Sequence, residues 1–268
     1  MHREMEQLLD IMRLLRDPQR GCPWDLEQNY QTIVPHTLEE AYEVADSIEK
    51  GDLDALQGEL GDLLFQVVFY AQLATEEGRF GFKEVVQSIN QKLIRRHPHV
   101  FADVEVEDAR SQTRLWEQLK QAERKSDSSS DDHQPSALDG VLEALPALTR
   151  AAKVQRRAAH VGFDWPDHSG VLDKVEEEFA ELRVEIEQQQ PAAEQVEEEM
   201  GDLLFSMVNL CRHLQLDGEG VLRRATTKFE RRFRTMEMLL AEQGTHLEQL
   251  DQDAMEAAWQ QVKQRESV

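Results

Sequence analysis

The sequence predicts an all-α protein organised as tandem helical-bundle domains. Three observations lead there. Charged residues make up 31% of the chain and hydrophobic ones 40%, but aromatics only 6%. Glu, Gln, Leu, Ala and Arg abound, whereas alternating Val/Ile/Thr runs are scarce, a balance that favours helix over strand. Finally, one stretch occurs twice: GELGDLLFQVV around Gly61 and EEMGDLLFSMV around Gly201.

Taken in order, Met5, Leu8, Leu9, Met12 and Leu15 fall at helical spacing, so a first helix is expected over Glu4 to Arg16, stopped by Asp17-Pro18. The segment Asp17 to Asp25 reads as a turn. Thr37 with Glu40 three positions on has the form of a capping box, which starts a helix there that runs to Lys50. Gly51 supplies the stop and Asp52 the cap of the next helix, which carries Glu59, Asp62 and the apolar run and ends near Glu77-Gly78. A helix after Gly81 ends at His97-Pro98, which reads as a turn, and a polar helix with Trp116 is expected over Asp108 to Arg124.

The segment KSDSSSDDHQPS is poor in apolar residues and reads as a linker. Domains are therefore expected at 1–124 and 139–268, joined by a flexible linker over 125–138. The second half restarts with a helix from about Asp139 to His160 and a turn around Trp165-Pro166. Helices follow near Gly170 to Gln188, Ala192 to Leu216, Val221 to Gln243 and Ala254 to Arg265. Trp24 and Trp165 are expected to plug the ends of their bundles. TLEEAYE pairs with VEEEFAE, KLIRRHPHVF with KFERRFRTM, and WEQLK with WQQVK, each about 140 residues apart.

The formal charge of -23 argues against binding a nucleic acid polymer or an anionic membrane surface. No stretch approaches the ~18 uninterrupted apolar residues of a membrane span, and the N-terminus has no apolar leader. Cys22 and Cys211 stand alone and read as reduced thiols of a cytoplasmic protein.

The chemistry lies in the acids. Three residues turn a helix by about 300°, so Glu59 and Asp62 share a face, as do Glu40 and Glu43. The short turn at Gly51 makes their helices antiparallel and brings the pairs together. Glu178, Glu181, Glu199 and Asp202 form the same set in the second half, flanked by Glu177 and Glu198. Carboxylates gathered beside a segment that must be buried need a positive partner. An all-oxygen set suits Mg²⁺, with Mn²⁺ as a substitute. The glycine inside each ExxD motif costs ~1 kcal/mol of helix stability, which predicts close helix contact there.

Lys228, Arg231 and Arg232 lie at i, i+3 and i+4 and form a face able to grip phosphate, with surface ion pairs as the ordinary alternative. Trp259 and Lys263, one turn apart, would stack a base and meet a phosphate, unless Trp259 is core. Trp116 and Lys120 repeat that pair. Residues 63–70 are apolar around most of the helix, more than one small domain buries, which predicts a homodimer.

At these residues the sequence resembles the MazG family of nucleoside triphosphate pyrophosphohydrolases. The pattern EExxE, a gap, then ExxD appears as Glu39 to Glu43 with Glu59 to Asp62, and as Glu177 to Glu181 with Glu199 to Asp202. The resemblance spans nearly the whole chain in tandem form. It implies an Mg²⁺-dependent enzyme of the all-α NTP pyrophosphatase type, converting a nucleoside triphosphate to the monophosphate and pyrophosphate. It implies metal ligands at Glu178, Glu181, Glu199 and Asp202, and by repeat at Glu40, Glu43, Glu59 and Asp62. Nucleotide-contacting positions match Lys174, Lys228, Arg232, Trp259 and Lys263, and Glu177 or Glu198 would take the proton of the attacking water.

The halves differ. His36 stands where the second half has Lys174, Gly58 where it has Glu198, and Pro98 where it has Arg234. The second half is therefore expected to be the stronger catalyst. A non-catalytic helical adaptor with a solvated acidic face is the alternative. A di-iron carboxylate bundle is disfavoured, because no His has a Glu three places before it.

Overall fold

The computed structural model describes residues 2–102, 108, 112 and 136–266. Among them are eleven α-helices, one 3-10 turn and no strand. The chain divides into two compact units, Met1–Ser130 and Asp131–Val268. The expected helix with Trp116 and Lys120, and most of the expected linker, lie outside the described residues. No helix among the described residues is long and apolar enough to cross a membrane.

In the first unit α1 (His2–Leu15), α2 (Pro23–Glu27), α3 (Tyr30–Lys50), α4 (Leu53–Glu76), α5 (Phe82–Arg96) and the short α6 (Pro98–Phe101) follow one another. Part of the stretch read as a turn is thus helical, as α2. Proline at the first position of α2 gives up an N–H that a helix start leaves unpaired anyway. Met12, Ile33, Val68, Phe69 and Leu73 make a buried core joining α1, α3 and α4, with Leu8, Leu9, Phe65 and Phe82 packed around it.

The helix expected to begin at Thr37 begins two turns earlier. Asn29 Oδ1 accepts from the N–H groups of Gln31 (2.9 Å) and Thr32 (3.1 Å), while Thr32 Oγ1 accepts from Asn29 N–H at 2.9 Å. That reciprocal cap starts α3, and Pro35 inside it removes only one ladder bond. Thr37 is mid-helix: its hydroxyl bonds the Ile33 carbonyl (3.2 Å) and lies 2.9 Å from the Tyr70 hydroxyl on α4. The turn between α3 and α4 is as expected. Gly51 is left-handed (φ 71°), and Asp52 Oδ1 caps α4 through Ala55 N–H at 3.0 Å.

The second unit contains α7 (Ala147–His160), α8 (His168–Ile186), α9 (Ala193–His213), α10 (Gly218–Glu242) and α11 (Gln252–Glu266). Its first helix begins after Pro146 and not near Asp139, because residues 136–146 form turns. The hairpin α8–α9 is the main contact of the unit, with α7 against α9 and α10 against α7 and α11. Gln155 on α7 donates to the Phe205 carbonyl on α9 at 2.7 Å. Met236, Leu240 and Val262 join α10 to α11.

Two expectations fail on packing. Trp24 is 50% exposed, so it does not plug its bundle, and Trp165 is only partly covered, its ring lying over Gly170. Around Gly61 and Gly201 nothing lies within 4 Å of where a Cβ would stand, so these glycines mark open surface within the chain and not close helix contact.

Candidate functional site

Each acidic set straddles a helical hairpin. In the second unit Glu178 and Glu181 come from the middle of α8, Glu199 and Asp202 from the middle of α9. Carboxylate oxygens of Glu178, Glu199 and Asp202 all lie within 4.8 Å of one another. Glu178 is buried at 4% exposure, Glu199 is half-buried and Asp202 exposed. Glu181 stands outside that trio but acts on it. Burial, then the charges of Glu181, Glu178, Asp202 and Glu198, pushes the Glu199 carboxyl above the usual range.

In the first unit the trio is Glu40, Glu43 and Glu59, again with oxygens within 4.8 Å of one another. Burial first, then Asp62 and Glu43, raises Glu40; burial, then Glu43 and Asp62, raises Glu59. Asp62 is thus near the cluster without being in the trio. The two hairpins assemble their acids differently: both α3 acids with one from α4, against one α8 acid with both from α9.

The difference coincides with one side chain. Lys174 Nζ lies 2.7 Å from Glu178 and 2.9 Å from Glu177, bonds that raise the ammonium above its usual value against the effect of burial. At the corresponding place His36 Nδ1 is 3.7 Å from Glu39, and its ring meets Trp24 edge-on at 5.7 Å.

The basic residues are engaged as well. Arg231 (3.0 Å) and Arg232 (2.7 Å) both hold Glu266 at the end of α11, and Arg232 first, then Arg231, keeps that carboxyl below its usual range. Arg234 pairs with Glu230 at 3.0 Å. Lys228 is exposed on α10. Trp259 is half-buried against Phe229, ring centres 5.2 Å apart, and belongs to the rim of the α10–α11 core, with Lys263 one turn further along α11. Glu266 escaped sequence reasoning although it lies one turn beyond Lys263, because its partners are about 35 residues away in the chain.

The donor set is carboxylate oxygen alone, converging from two helices and partly shielded from water. Those features fit a hard divalent cation of the magnesium or manganese kind. Among the described residues neither cluster includes a His or Cys, which would favour softer metals.

Helical hairpins that each gather a carboxylate cluster from both of their helices define a class of acidic helical-bundle protein. Residues 28–101 and 167–236 match the MazG nucleotide pyrophosphohydrolase domain, each segment spanning one acidic hairpin, and the chain belongs to this family. It is 52% identical over 263 residues to a nucleoside triphosphate pyrophosphohydrolase of Escherichia coli K12, covering 98% of both chains. It is 42% identical over 258 residues to the nucleoside triphosphate pyrophosphohydrolase/pyrophosphatase MazG of Thermotoga maritima, covering 96% of this chain and 95% of that one. A crystal structure of a mazG-related protein from Thermotoga maritima aligns with 43% of this chain and 98% of its own, at 27% identity and a TM-score of 0.37.

Proposed function

We propose that the chain is a divalent-metal-dependent nucleoside triphosphate pyrophosphohydrolase, with Mg²⁺ as the working ion and Mn²⁺ as a substitute. The observation that carries the reading is the convergence of Glu178, Glu199 and Asp202 from two helices in a chain of this family. The ligand set would be Glu178, Glu181, Glu199 and Asp202, with Glu40, Glu43, Glu59 and Asp62 as the first unit's counterpart. When bound, the cation supplies charge neutralisation for the triphosphate and polarises its α-phosphoryl group.

The chain's residues do the rest. Water attacks the α-phosphorus, the bond from that phosphorus to the bridging oxygen breaks, and pyrophosphate leaves with the electron pair. Glu198, exposed beside Glu199, or Glu177 accepts the proton from the water. Glu177 is held by Lys174 at 2.9 Å. Lys228, Arg231 and Arg232 meet phosphate oxygens from α10, with Lys174 and Lys263 as further cations. Trp259, half-buried on α11, offers a stacking surface for the base. The second unit, which has Lys174, Glu198 and Arg234 where the first has His36, Gly58 and Pro98, is the stronger catalyst.

Two chains form a homodimer. Phe179 (57% exposed), Leu204 (52%) and Val184 (63%) lie on α8 and α9 without a cover of their own, and the space before Gly201 leaves room for a neighbouring backbone. Domains at 1–124 and 139–268 joined by a flexible linker at 125–138, residence in the cytoplasm and absence of a nucleic acid partner complete the reading. A pyrophosphate-release panel across ribo- and deoxyribonucleoside triphosphates, run with Mg²⁺ and with chelator, tests it. Release that needs the metal is expected; no release from any nucleotide overturns the reading.

A further inference from the structure

Lys174 has a task that phosphate binding does not explain. Its ammonium lies 2.7 Å from the most buried acid of the second cluster, Glu178, while its other contact, Glu177, is 55% exposed. A buried carboxylate facing two more acids is unfavourable unless a positive charge joins it. In the first unit the same helix position is His36, which leans toward Glu39, and among the described residues no cation pairs with Glu40. There the trio is Glu40, Glu43 and Glu59; in the second unit Glu178, paired with the lysine, forms the trio with Glu199 and Asp202.

We propose that Lys174 is the resident counter-ion of the second site: it holds Glu178 in place when no divalent cation is bound and gives up the carboxylate when one binds. Ammonium and metal compete for lone pairs of the same carboxylate, so Lys174 weakens metal binding on its own. Once Glu178 is surrendered, the ammonium is left with the exposed Glu177 and a reach toward an anionic phosphate, so metal and nucleotide binding become linked through this side chain. The inference rests on the metal site proposed above.

The test is calorimetric titration of the full chain with MnCl₂ alone, in a Glu59→Gln background that removes a ligand of the first site. Adding Lys174→Gln is expected to tighten Mn²⁺ binding by ~5-fold or more, to weaken binding of a non-hydrolysable nucleoside triphosphate, and to lower the melting temperature in chelator. Lys174→Arg, which keeps the charge, is expected to retain the parent's metal affinity. The reciprocal change, His36→Lys in a Glu199→Gln background, does not touch the second cluster's lysine and is expected to weaken Mn²⁺ binding at the first site by ~5-fold. Unchanged or weaker Mn²⁺ affinity in Lys174→Gln, with the parent binding normally, overturns the counter-ion role alone. A parent that binds no Mn²⁺ overturns the metal site and this inference together.

Discussion

Arg16 and Glu76 fasten the end of α1 to the end of α4 through two parallel bonds, Nε to Oε1 at 2.8 Å and Nη2 to Oε2 at 2.6 Å. The same guanidinium donates to the carbonyls of Asp25 and Gln28 and lies 5.5 Å from the centre of the Phe69 ring. One side chain, 9% exposed, thereby ties three helices and a connecting turn together.

Arg16→Leu is expected to destabilise the first unit by about 2 kcal/mol, below the full cost of breaking a buried pair because Glu76 is 35% exposed. The arginine holds the Glu76 carboxyl below its ordinary value of 4.5. For a lowered acid the stabilisation is present above the unfolded value and lost as pH falls through the folded one. Urea denaturation, followed by hydrogen exchange in α1 and α4, should show the gap between wild type and variant at pH 7 and its shrinkage below about pH 4.

Glu199→Gln and Glu59→Gln remove matching carboxylates from the two hairpins. The first is expected to lower pyrophosphate release by about 100-fold or more and the second by less than ~3-fold. Steady-state rates at saturating Mg²⁺ decide it; equal losses would show that the units contribute alike.

Glu40 is an acid whose value the fold raises, through burial and then through Asp62 and Glu43. The sign is opposite to that of Glu76. A raised acid favours folding at low pH, and the contribution is lost as pH rises through the folded value. Glu40→Gln is therefore expected to raise the melting temperature in chelator at pH 7 by roughly 2 °C and to reduce the further gain that Mg²⁺ gives. Thermal melts at pH 5 and pH 7, with and without metal, check both statements; a variant that melts lower than wild type in chelator contradicts them.

Leu204→Glu places a charge on the exposed apolar face of α9 without touching the buried core. Sedimentation velocity should find pairs of chains for wild type and single chains for the variant, with helical content unchanged by circular dichroism.

Much of this architecture was legible because its signals are short-range. ExxD at helical spacing, the Gly51 stop and the Asp52 cap each need only a few neighbouring residues to be read. The start of α3 differs from that reading for a related reason: Thr37 with Glu40 has the form of a capping box, whereas Asn29 with Thr32 caps the helix two turns earlier. Only the packing of Ile33 into the core and the bond from Thr37 to Tyr70 decides between them. The glycines of the repeated motif were misread because an absent side chain fits a close neighbour and an open surface alike. Which acids converge was also hidden, since the spacing places four per hairpin and the Lys174 pairing bears on which three meet.

The chain joins α8 to α9 at one end through residues 187–192. At the other end Asp164, just ahead of α8, is gripped by Arg212 (3.0 Å) and His213 (2.9 Å) at the close of α9. Burial opposes ionisation of Asp164, yet those two donors outweigh it and keep the carboxyl below its usual range. The two rods are therefore clasped top and bottom, with the acid trio midway between the clasps. Opening the gap at the middle would require bending a rod or breaking a clasp, so ions too large for the spacing are met by a frame that resists stretching.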